Sequence, residues 1–568
     1  VSVSVAGGDE AAPVRESVSA GRAAWQKMLG NATCEQSCSL TFSFSDIRII
    51  GKGRRIQMKK IAHLLLGRFS IVAVSIILQF LWLVMVMYQF SYQFTYANLA
   101  IRTIAIIVVL VIVNRWTNPA NKLSWTFIIL LSPVLGLLLY MIFGRSSLTK
   151  KTQERMDSVN REVSACLYQT PEIKEQLERE DLSVYRQSRY INDWAGFPLY
   201  HNTSTKYYSC GEEMFPDMLA ELEKAEHFIF LEYFIVDQGV MFDRIVEVLE
   251  QKSKEGVDVR LIYDDIGCIN TLPPKYYKIL QAKGIKCAAF NPFRPIMSVI
   301  MNNRDHRKIF VVDGKVGFTG GINLADEYIN VASRFGYWKD TGIRLEGEAV
   351  WSMTVMFLEM WNYINHSSED YKQFMPQVYQ KEPFEGDGFV QPYGDTPLDH
   401  ETVGENIYLN IINHAERYVY IFTPYLIIDN EMLVSLCNAA KRGVDVRIVT
   451  PGIPDKKMIF LLTQSHYEPL LKCGVKIYQY TPGFIHAKSF LCDDKIGTVG
   501  SINLDYRSLF LHFECGVFMY KTKALMQLKE DCMDTFAASE EMTLEFCRGQ
   551  NVFIRIFQGM MRLFAPLL

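Results

Sequence analysis

The chain has 568 residues, which is too long for one hydrophobic core and predicts two or more domains. Its formal net charge of −3 gives no overall basic character, so the composition argues against a nucleic-acid-binding protein and we expect no nucleic-acid partner. The twelve cysteines are spread mostly singly through apolar stretches, which is typical of buried, reduced thiols and argues against a disulfide-rich secreted domain.

The amino-terminal stretch differs in composition from the rest of the chain. Residues 1–57 are rich in Ser, Ala, Gly and charged residues and have no sustained hydrophobic period. We therefore expect a disordered tail or an over-extended start. Met58 and the two lysines after it resemble a natural start just before a membrane segment.

Residues 58–145 are predicted to form an α-helical transmembrane anchor. Apolar runs cover about 69–90, 96–113 and 123–143, and the first has no charge over a length that can cross a bilayer. Basic residues before the first run favour a cytoplasmic amino end. Basic residues also follow the third run, although an odd number of spans would put the two clusters on opposite sides. Either one run does not fully cross or the charge rule fails here.

After a polar connector at 146–205, the chain contains the same strand-helix-strand pattern twice. We assign these copies to a first lobe at 206–375 and a second lobe at 376–545. The predicted elements are a strand at 228–236, a helix at 242–254 and a strand at 256–263, then a strand at 418–428, a helix at 431–442 and a strand at 443–449. Gly-Val-Asp-Val-Arg begins the last strand of both sets, which favours a duplicated α/β unit with parallel strands. Residues 546–568 are basic and apolar and are predicted to lie at a membrane interface.

A second repeat concerns chemistry. Each lobe contains a His, a Lys two residues later, an Asp seven residues later and an Asn seventeen residues later. These residues are His306, Lys308, Asp313 and Asn323 in the first lobe, and His486, Lys488, Asp493 and Asn503 in the second. One His-Lys-Asp match is expected by chance roughly 0.02 to 0.03 times in such a chain, so two matches in register indicate a shared function.

The spacing indicates what this repeat can bind. Residues i and i+2 of a strand point to the same face, so each His and Lys should be presented side by side, while Asp313 and Asp493 fall at hairpin turns and are more structural than chemical. A cationic Lys with an Asn amide donor suits a phosphate group. Two facing half-sites could hold a phosphodiester between two imidazoles, one attacking phosphorus and the other protonating the leaving oxygen. We expect neither a metal nor a cofactor, because Lys and Asn can stabilise the developing charge.

The paired motif, with Gly-Gly or Gly-Ser before each Ile-Asn, resembles the phospholipase D superfamily. The resemblance implies a duplicated, bilobal α/β/α sandwich and a phosphohistidine intermediate. It also implies that acids placed like Asp340 and Glu514 orient the histidines; the alternative for each acid is an exposed strand carboxylate. From about Met58 to Leu568, the order of membrane runs, connector and lobes resembles bacterial cardiolipin synthases, although a third apolar run departs from the two-span anchor typical of that family.

This resemblance implies a reaction at the bacterial plasma membrane. Two phosphatidylglycerol molecules would give cardiolipin and glycerol, with His306 as the nucleophile and His486 as the acid and base. The lysines and asparagines of the motif would bind phosphoryl oxygens. Alternatives are a hydrolytic phospholipase D, in which water replaces the second alcohol, or another phosphatidyltransferase of the superfamily. A nucleic-acid phosphodiesterase and a non-catalytic scaffold fit the sequence less well. No feature of the sequence predicts an oligomeric state.

Overall fold

The computed structural model describes residues 77–79, 81–82, 84–85, 95–144, 154, 162–163, 165–292, 302–380, 383–399 and 401–567. The predicted tail and most of the first apolar run lie outside these residues. The helices are α1 Thr95–Val113, α2 Pro119–Leu131, α3 Pro133–Phe143, α4 Pro171–Glu180, α5 Leu182–Ala195, α6 Gly211–Lys224, α7 Val240–Lys254, α8 Tyr277–Ala282, α9 Val350–Asn365, α10 Pro376–Tyr379, α11 Val403–His414, α12 Asn430–Lys441, α13 Lys457–Gln464, α14 Tyr467–Lys472, α15 Tyr506–Phe510, α16 Lys523–Ala537, α17 Leu544–Gly549 and α18 Val552–Phe564.

The strands belong to two large sheets and one small one. They are β1 Thr203–Tyr208, β2 Phe228–Tyr233, β3 Asp258–Asp264, β4 Lys286–Phe290, β5 Arg304–Asp305, β6 Lys308–Val312, β7 Val316–Gly320, β8 Tyr337–Lys339, β9 Gly342–Gly347, β10 Phe389–Asp395, β11 Tyr418–Phe422, β12 Asp445–Pro451, β13 Lys476–Tyr480, β14 Gly483–Ile485, β15 Ser489–Cys492, β16 Ile496–Gly500, β17 His512–Tyr520 and β18 Ser539–Glu541.

The two large sheets repeat one topology. The first has the order β1-β9-β7-β6-β2-β3-β4, and the second runs β10-β17-β16-β15-β11-β12-β13-β18. Strands β2 and β3 pair in parallel, as do β11 and β12, because a helix crosses over between the members of each pair. The predicted duplicated α/β unit and its hairpins, β6 with β7 and β15 with β16, are confirmed.

A buried helix joins the two sheets. Every residue of α9 from Val350 to Leu358 is buried, which explains why its sequence is apolar on all sides. Phe357 stacks on Phe230 of the first sheet at 4.6 Å between ring centroids. The next residue along the helix, Met356, packs against Gly394 of the second sheet, where a Cβ would lie 3.2 Å from the methionine sulfur. The lobes therefore share one hydrophobic core.

Two short strands pair across the lobes and position the motif histidines. Strand β5 of the first lobe pairs in parallel with β17 of the second, and β14 of the second lobe pairs in parallel with β8 of the first. Each crossing strand ends directly before a motif histidine. The histidines consequently lie at the junction of the lobes and just ahead of β6 and β15. The expectation that His and Lys share one strand was wrong, because the chain leaves the crossing strand at the His.

The apolar helices form a compact group. Among the described residues, α1 is the one helix that is long and apolar enough to cross a membrane, and its candidate span is Tyr96–Val113. The third predicted run is not one helix, because the chain breaks at Ser132 between α2 and α3. The two helices fold back on each other where Gly136 meets the backbone of Ile129, at which a Cβ would lie 2.5 Å from the Ile129 Cα. This hairpin favours the alternative that one predicted run does not cross.

The carboxyl-terminal helix packs on this hairpin. The Ser124 hydroxyl donates to the Leu563 carbonyl at 2.6 Å, and the rings of Phe127 and Phe564 lie 6.1 Å apart. Exposed apolar residues of α18 are Val552, Phe553, Ile554, Ile556 and Met560. This helix lies next to helices with exposed Leu and Ile side chains, and its placement at a membrane interface stays a prediction.

Candidate active site

The first motif histidine is held by the second lobe. Nδ1 of His306 lies 2.9 and 3.0 Å from the two carboxylate oxygens of Glu514, and its backbone N–H donates to the Phe513 carbonyl at 2.9 Å. Both side chains are buried. Nδ1 is thereby engaged, which leaves Nε2 as the ring nitrogen that could act on a substrate.

The second motif histidine repeats this arrangement with the lobes exchanged. Nδ1 of His486 lies 2.6 Å from Oδ2 of Asp340, and its backbone N–H donates to the Lys339 carbonyl at 2.7 Å. Each histidine is thus bound to the acid of the other lobe and to the residue that precedes that acid. Both acids that the sequence selected contact a motif histidine, and neither is an exposed strand carboxylate. The exchange between the lobes could not be read from the sequence.

The two acids explain a difference between the motif copies. Gly321 lies against Asp340, where a Cβ would be only 2.0 Å from Oδ1 of the carboxylate. The equivalent residue in the second lobe is Ser501, whose hydroxyl donates to Oε2 of Glu514. The shorter acid therefore requires a glycine, whereas the longer acid is held by a serine.

The protonation of each pair follows from burial and charge. Burial lowers the pKa of His306 to about 3 and that of His486 to about 4, against the raising effect of the facing carboxylate. Burial raises the pKa of Glu514 and Asp340, but the neighbouring imidazole and Lys side chains more than offset this and leave both acids below their usual range. Each pair is therefore a neutral imidazole, with Nδ1–H donating to an ionised carboxylate.

The motif lysines lie beside the histidines and are also buried. Nζ of Lys308 donates to the backbone carbonyl of His306, and Nζ of Lys488 donates to that of His486. An ammonium carries three donors, so this contact orients the side chain without exhausting it. Burial lowers the pKa of Lys308 to about 8 and that of Lys488 to about 7. The charge of both lysines is therefore sensitive to pH in the neutral range.

The motif aspartates have structural contacts. The Asp313 carboxylate accepts hydrogen bonds from the backbone N–H groups of Glu226, His227 and Phe228, at 2.8 Å each. Asp493 repeats this at the start of β11, where it accepts from three successive backbone N–H groups at 2.7 to 2.9 Å. Both residues also have positive φ, which the hairpin turn requires. These contacts agree with the structural role that the turn position predicted.

This role makes a prediction about Asp313→Ala. Loss of an acceptor for three backbone donors should lower the free energy of unfolding by about 3 kcal/mol, which chemical denaturation can measure. The folded fraction should keep its turnover number within about threefold, since the hydrogen bonds that this carboxylate accepts come from backbone N–H groups. A large fall in turnover at unchanged stability would instead assign the carboxylate to the chemistry.

The two motif asparagines do not have equivalent surroundings. Nδ2 of Asn323 donates to the Tyr328 hydroxyl at 2.8 Å, and its Oδ1 accepts from the Ile235 N–H at 3.0 Å. Oδ1 of Asn503 is buried and, within the described part of the chain, has no hydrogen-bond partner. The repeat in sequence is therefore closer than the repeat in side-chain contacts.

The histidine loops are anchored in different ways. On either side of His306, Arg304 forms a two-pronged contact with Asp264 at 2.7 to 3.1 Å, and Arg307 pairs with Glu232 at 2.6 Å. All four side chains are buried. Around His486 the corresponding residues are Phe484 and Ala487. That half-site is packed by aromatic rings, with Trp338 at 5.4 Å and Tyr328 at 5.6 Å from the imidazole.

Sequence reasoning missed several residues of this site. His512 is buried beside His306, with ring centroids 5.6 Å apart, and its Nδ1 is 3.8 Å from Glu514, too far for a direct hydrogen bond. A metal ion could be held, among the described residues, by His306, His512 and Glu514, because their possible ligand atoms lie within 4.8 Å of one another. His512 and Tyr328 stand outside the repeated motif, and only the fold brings them to the histidines.

Comparisons with known proteins match the chain to one family. The family model described as "Cardiolipin synthase, PLD-like domain" matches residues 218–333 and 408–534, and the model "Phospholipase_D-nuclease N-terminal" matches 103–145. Cardiolipin synthase 1 of Bacillus cereus is 34% identical over 518 residues, which cover 90% of this chain and 100% of that protein. The chain belongs to the bacterial cardiolipin synthase family.

The chain is also similar to proteins of other bacteria. An uncharacterised protein of Streptococcus mutans serotype c is 45% identical over 469 residues, covering 81% of this chain and 99% of that protein. The crystal structure of a phosphatidylserine synthase from Haemophilus influenzae covers 67% of this chain and 98% of that one, with 12% identity and a TM-score of 0.48. As a member of the cardiolipin synthase family, the protein has a phospholipase D-like α/β fold and is an enzyme of the phosphatidyltransferase type.

Proposed function

We propose that the protein transfers a phosphatidyl group from one phosphatidylglycerol molecule to another, which gives cardiolipin and glycerol through a phosphohistidine intermediate. One observation carries this proposal: each of the two buried imidazoles is hydrogen-bonded to a carboxylate of the opposite lobe. One such pair would suffice to bind an anion. Two imidazoles with Nε2 available can divide a displacement at phosphorus into two steps.

In the first step, Nε2 of His306 attacks the phosphorus of the donor lipid. The bond between phosphorus and the headgroup glycerol breaks, and the departing oxygen takes a proton from His486. Phosphorus is then bonded to His306, and glycerol leaves with the proton. Bound substrate brings a negative charge between the two imidazoles, which opposes the effect of burial and favours the protonated form of His486.

In the second step, neutral His486 accepts the proton of a headgroup hydroxyl on a second phosphatidylglycerol. The hydroxyl oxygen attacks phosphorus and displaces Nε2 of His306. This regenerates the imidazole and gives cardiolipin. His486 is again protonated, so the cycle balances without a metal or cofactor.

The remaining motif residues stabilise charge on the phosphoryl oxygens. Lys308 and Lys488 are held next to the two histidines by hydrogen bonds to the histidine carbonyls. Their buried ammonium groups would donate to the phosphoryl oxygens, and the low dielectric strengthens each contact. Asn503 and the second N–H of Asn323 supply amide donors. We assign Asp340 and Glu514 to orientation of the histidines.

A dependence on pH follows from the lysines. Each ammonium is charged below its pKa, so phosphate binding should weaken as the pH rises through about 7 to 8. The value of kcat/KM should fall over this range, whereas kcat should persist to higher pH because bound phosphate raises the pKa of both lysines. Lys488→Arg should remove the part of the fall near pH 7, since a guanidinium stays charged, and leave the part near pH 8 that Lys308 causes. An unchanged alkaline limb in this variant would exclude Lys488 as its cause.

We also propose that the protein is a multi-pass protein of the bacterial plasma membrane. Support comes from the length of α1, from the exposed apolar residues of α1 and α2, and from the exposed apolar face of α18. The first apolar run in the sequence, about 69–90, would supply a further crossing.

Product analysis tests the proposed reaction. Purified protein given phosphatidylglycerol alone should form cardiolipin and free glycerol in equal amounts, measured by lipid mass spectrometry and a glycerol assay. A hydrolytic phospholipase D would form phosphatidic acid and glycerol instead. Phosphatidic acid as the main product would therefore overturn the proposal while leaving the two-imidazole chemistry intact.

A further inference from the structure

A cavity of about 430 Å³ lies outside the catalytic centre, where helices α1 to α3 meet the starts of β5 and β17. Its wall on the helical side contains apolar residues such as Ile112 and Ile128. Its wall on the catalytic side contains Asn303 and Leu511. The cavity therefore joins the apolar helices to the strands that carry the motif.

The charges around this cavity have one sign. Arg115 and Lys122 line it, and among the described residues that line it there is no Asp or Glu. Asn121 and Asn302 add neutral amide groups. A ligand that fits these walls combines a negatively charged group with an apolar body.

Both cations are held in place and retain further donors. Nη1 of Arg115 donates to the Tyr140 hydroxyl at 3.2 Å, and Nζ of Lys122 donates to the Val113 carbonyl at the end of α1, also at 3.2 Å. A guanidinium has five N–H donors and an ammonium has three, so these contacts fix the side chains without using all of their donors. Two positioned cations suit the oxygens of a phosphodiester.

The outer surface of the same helices indicates where an apolar body would go. Ile106, Leu110, Leu123, Leu130 and Leu131 are exposed on α1 and α2. Because so many apolar side chains are exposed on the helices that line the cavity, we expect this surface to face acyl chains and not water. A lipid with its phosphate in the cavity could thus keep its chains among those of the bilayer.

We propose that this cavity binds an anionic phospholipid, with the phosphate at Arg115 and Lys122 and the headgroup directed toward β5 and β17. The link to catalysis rests on the proposed function. Asn303 is three residues before His306, a distance of about 10 Å in an extended chain. Leu511 is likewise three residues before Glu514. A headgroup bound here lies beside the strands that lead to the first half-site.

Lipid retention by the full-length protein tests this site. The His306→Ala background prevents turnover, so binding is measured without chemistry. After reconstitution in nanodiscs with equal phosphatidylglycerol and phosphatidylcholine of matched chains, release into detergent and native mass spectrometry should show preferential retention of phosphatidylglycerol. Adding Arg115→Ala and Lys122→Ala together should reduce that preference by about tenfold or more. Asn121→Asp, which changes charge but not size, should reduce it in the same direction.

Matched controls make each result decisive. Arg102→Ala with Arg555→Ala removes the same charge from exposed positions on α1 and α18 that do not line the cavity, and should leave the preference unchanged. The proposal would be overturned if the Arg115 and Lys122 variant retained as much phosphatidylglycerol as its His306→Ala parent. It would also be overturned if the control variant lost as much of the preference as the Arg115 and Lys122 variant. Displacement of the lipid by inorganic phosphate alone would assign the cavity to a free anion. Cardiolipin formation by the unmodified protein is scored separately, so either proposal can fail while the other stands.

Discussion

Replacement of either motif histidine by alanine should nearly abolish cardiolipin formation, but the two variants should respond differently to the leaving group. We expect a loss of about 10⁴-fold or more for His306→Ala, which removes the nucleophile, and about 10² to 10⁴-fold for His486→Ala, which removes the acid and base. A phosphatidyl donor with p-nitrophenol as its leaving group needs no proton for departure. His486→Ala should therefore release p-nitrophenol rapidly from this donor, whereas His306→Ala should not.

The readout is an initial burst of p-nitrophenol, with lipid mass spectrometry of the products. His414→Ala is the matched control, because His414 is exposed on α11 and far from the motif in sequence. It should retain full activity. If His306→Ala gave a burst of p-nitrophenol and His486→Ala gave none, His486 would be the nucleophile and His306 the acid and base. Substantial cardiolipin synthesis by both variants would end the proposal of a phosphohistidine.

The second large effect concerns the crossed acids. Glu514→Gln and Asp340→Asn should each lower turnover by about 10³ to 10⁴-fold, because an amide can stabilise the wrong tautomer of the facing imidazole. Each effect should follow the histidine of the other lobe. Asp340→Asn impairs His486, so this variant should give a burst of p-nitrophenol from the activated donor. Glu514→Gln impairs His306, so this variant should give no burst.

This pattern separates a crossed site from an uncrossed one. If each acid served the histidine of its own lobe, the two variants would show the opposite response to the activated donor. Glu530→Gln, at an exposed position on α16, controls for the loss of a carboxylate and should be silent. Equal responses of Glu514→Gln and Asp340→Asn would mean that the acids stabilise the lobe interface without orienting a particular imidazole.

Much of the fold was predictable because its signals are local. Apolar runs, broken in β2 only by Glu232, predicted β2 and β11. Asp313 followed by Gly314 predicted the hairpin turn, where the structure has positive φ at both residues. The repeat of His, Lys, Asp and Asn predicted two equivalent lobes. The family resemblance rested on the same residues, and the comparisons confirm it.

The remaining features depend on contacts between distant parts of the chain. Glu514 and His306 are 208 residues apart, and only the docking of the lobes selects this partner over His486. Asn323 looked equivalent to Asn503, but its contact with Tyr328 arises from a side chain outside the repeat. Pro133 and Gly136 were visible in the third apolar run. Because membrane helices tolerate both residues, they did not reveal the break at Ser132.

The exchange of carboxylates between the lobes also bears on how the protein is made. During translation His306 leaves the ribosome long before Glu514, and the nascent first lobe lacks the carboxylate that holds its imidazole. Truncated or prematurely terminated chains should therefore be harmless to membrane lipids. Under the proposed mechanism, activity begins only when the second lobe has folded onto the first, so completion of the chain limits uncontrolled cleavage of phospholipid.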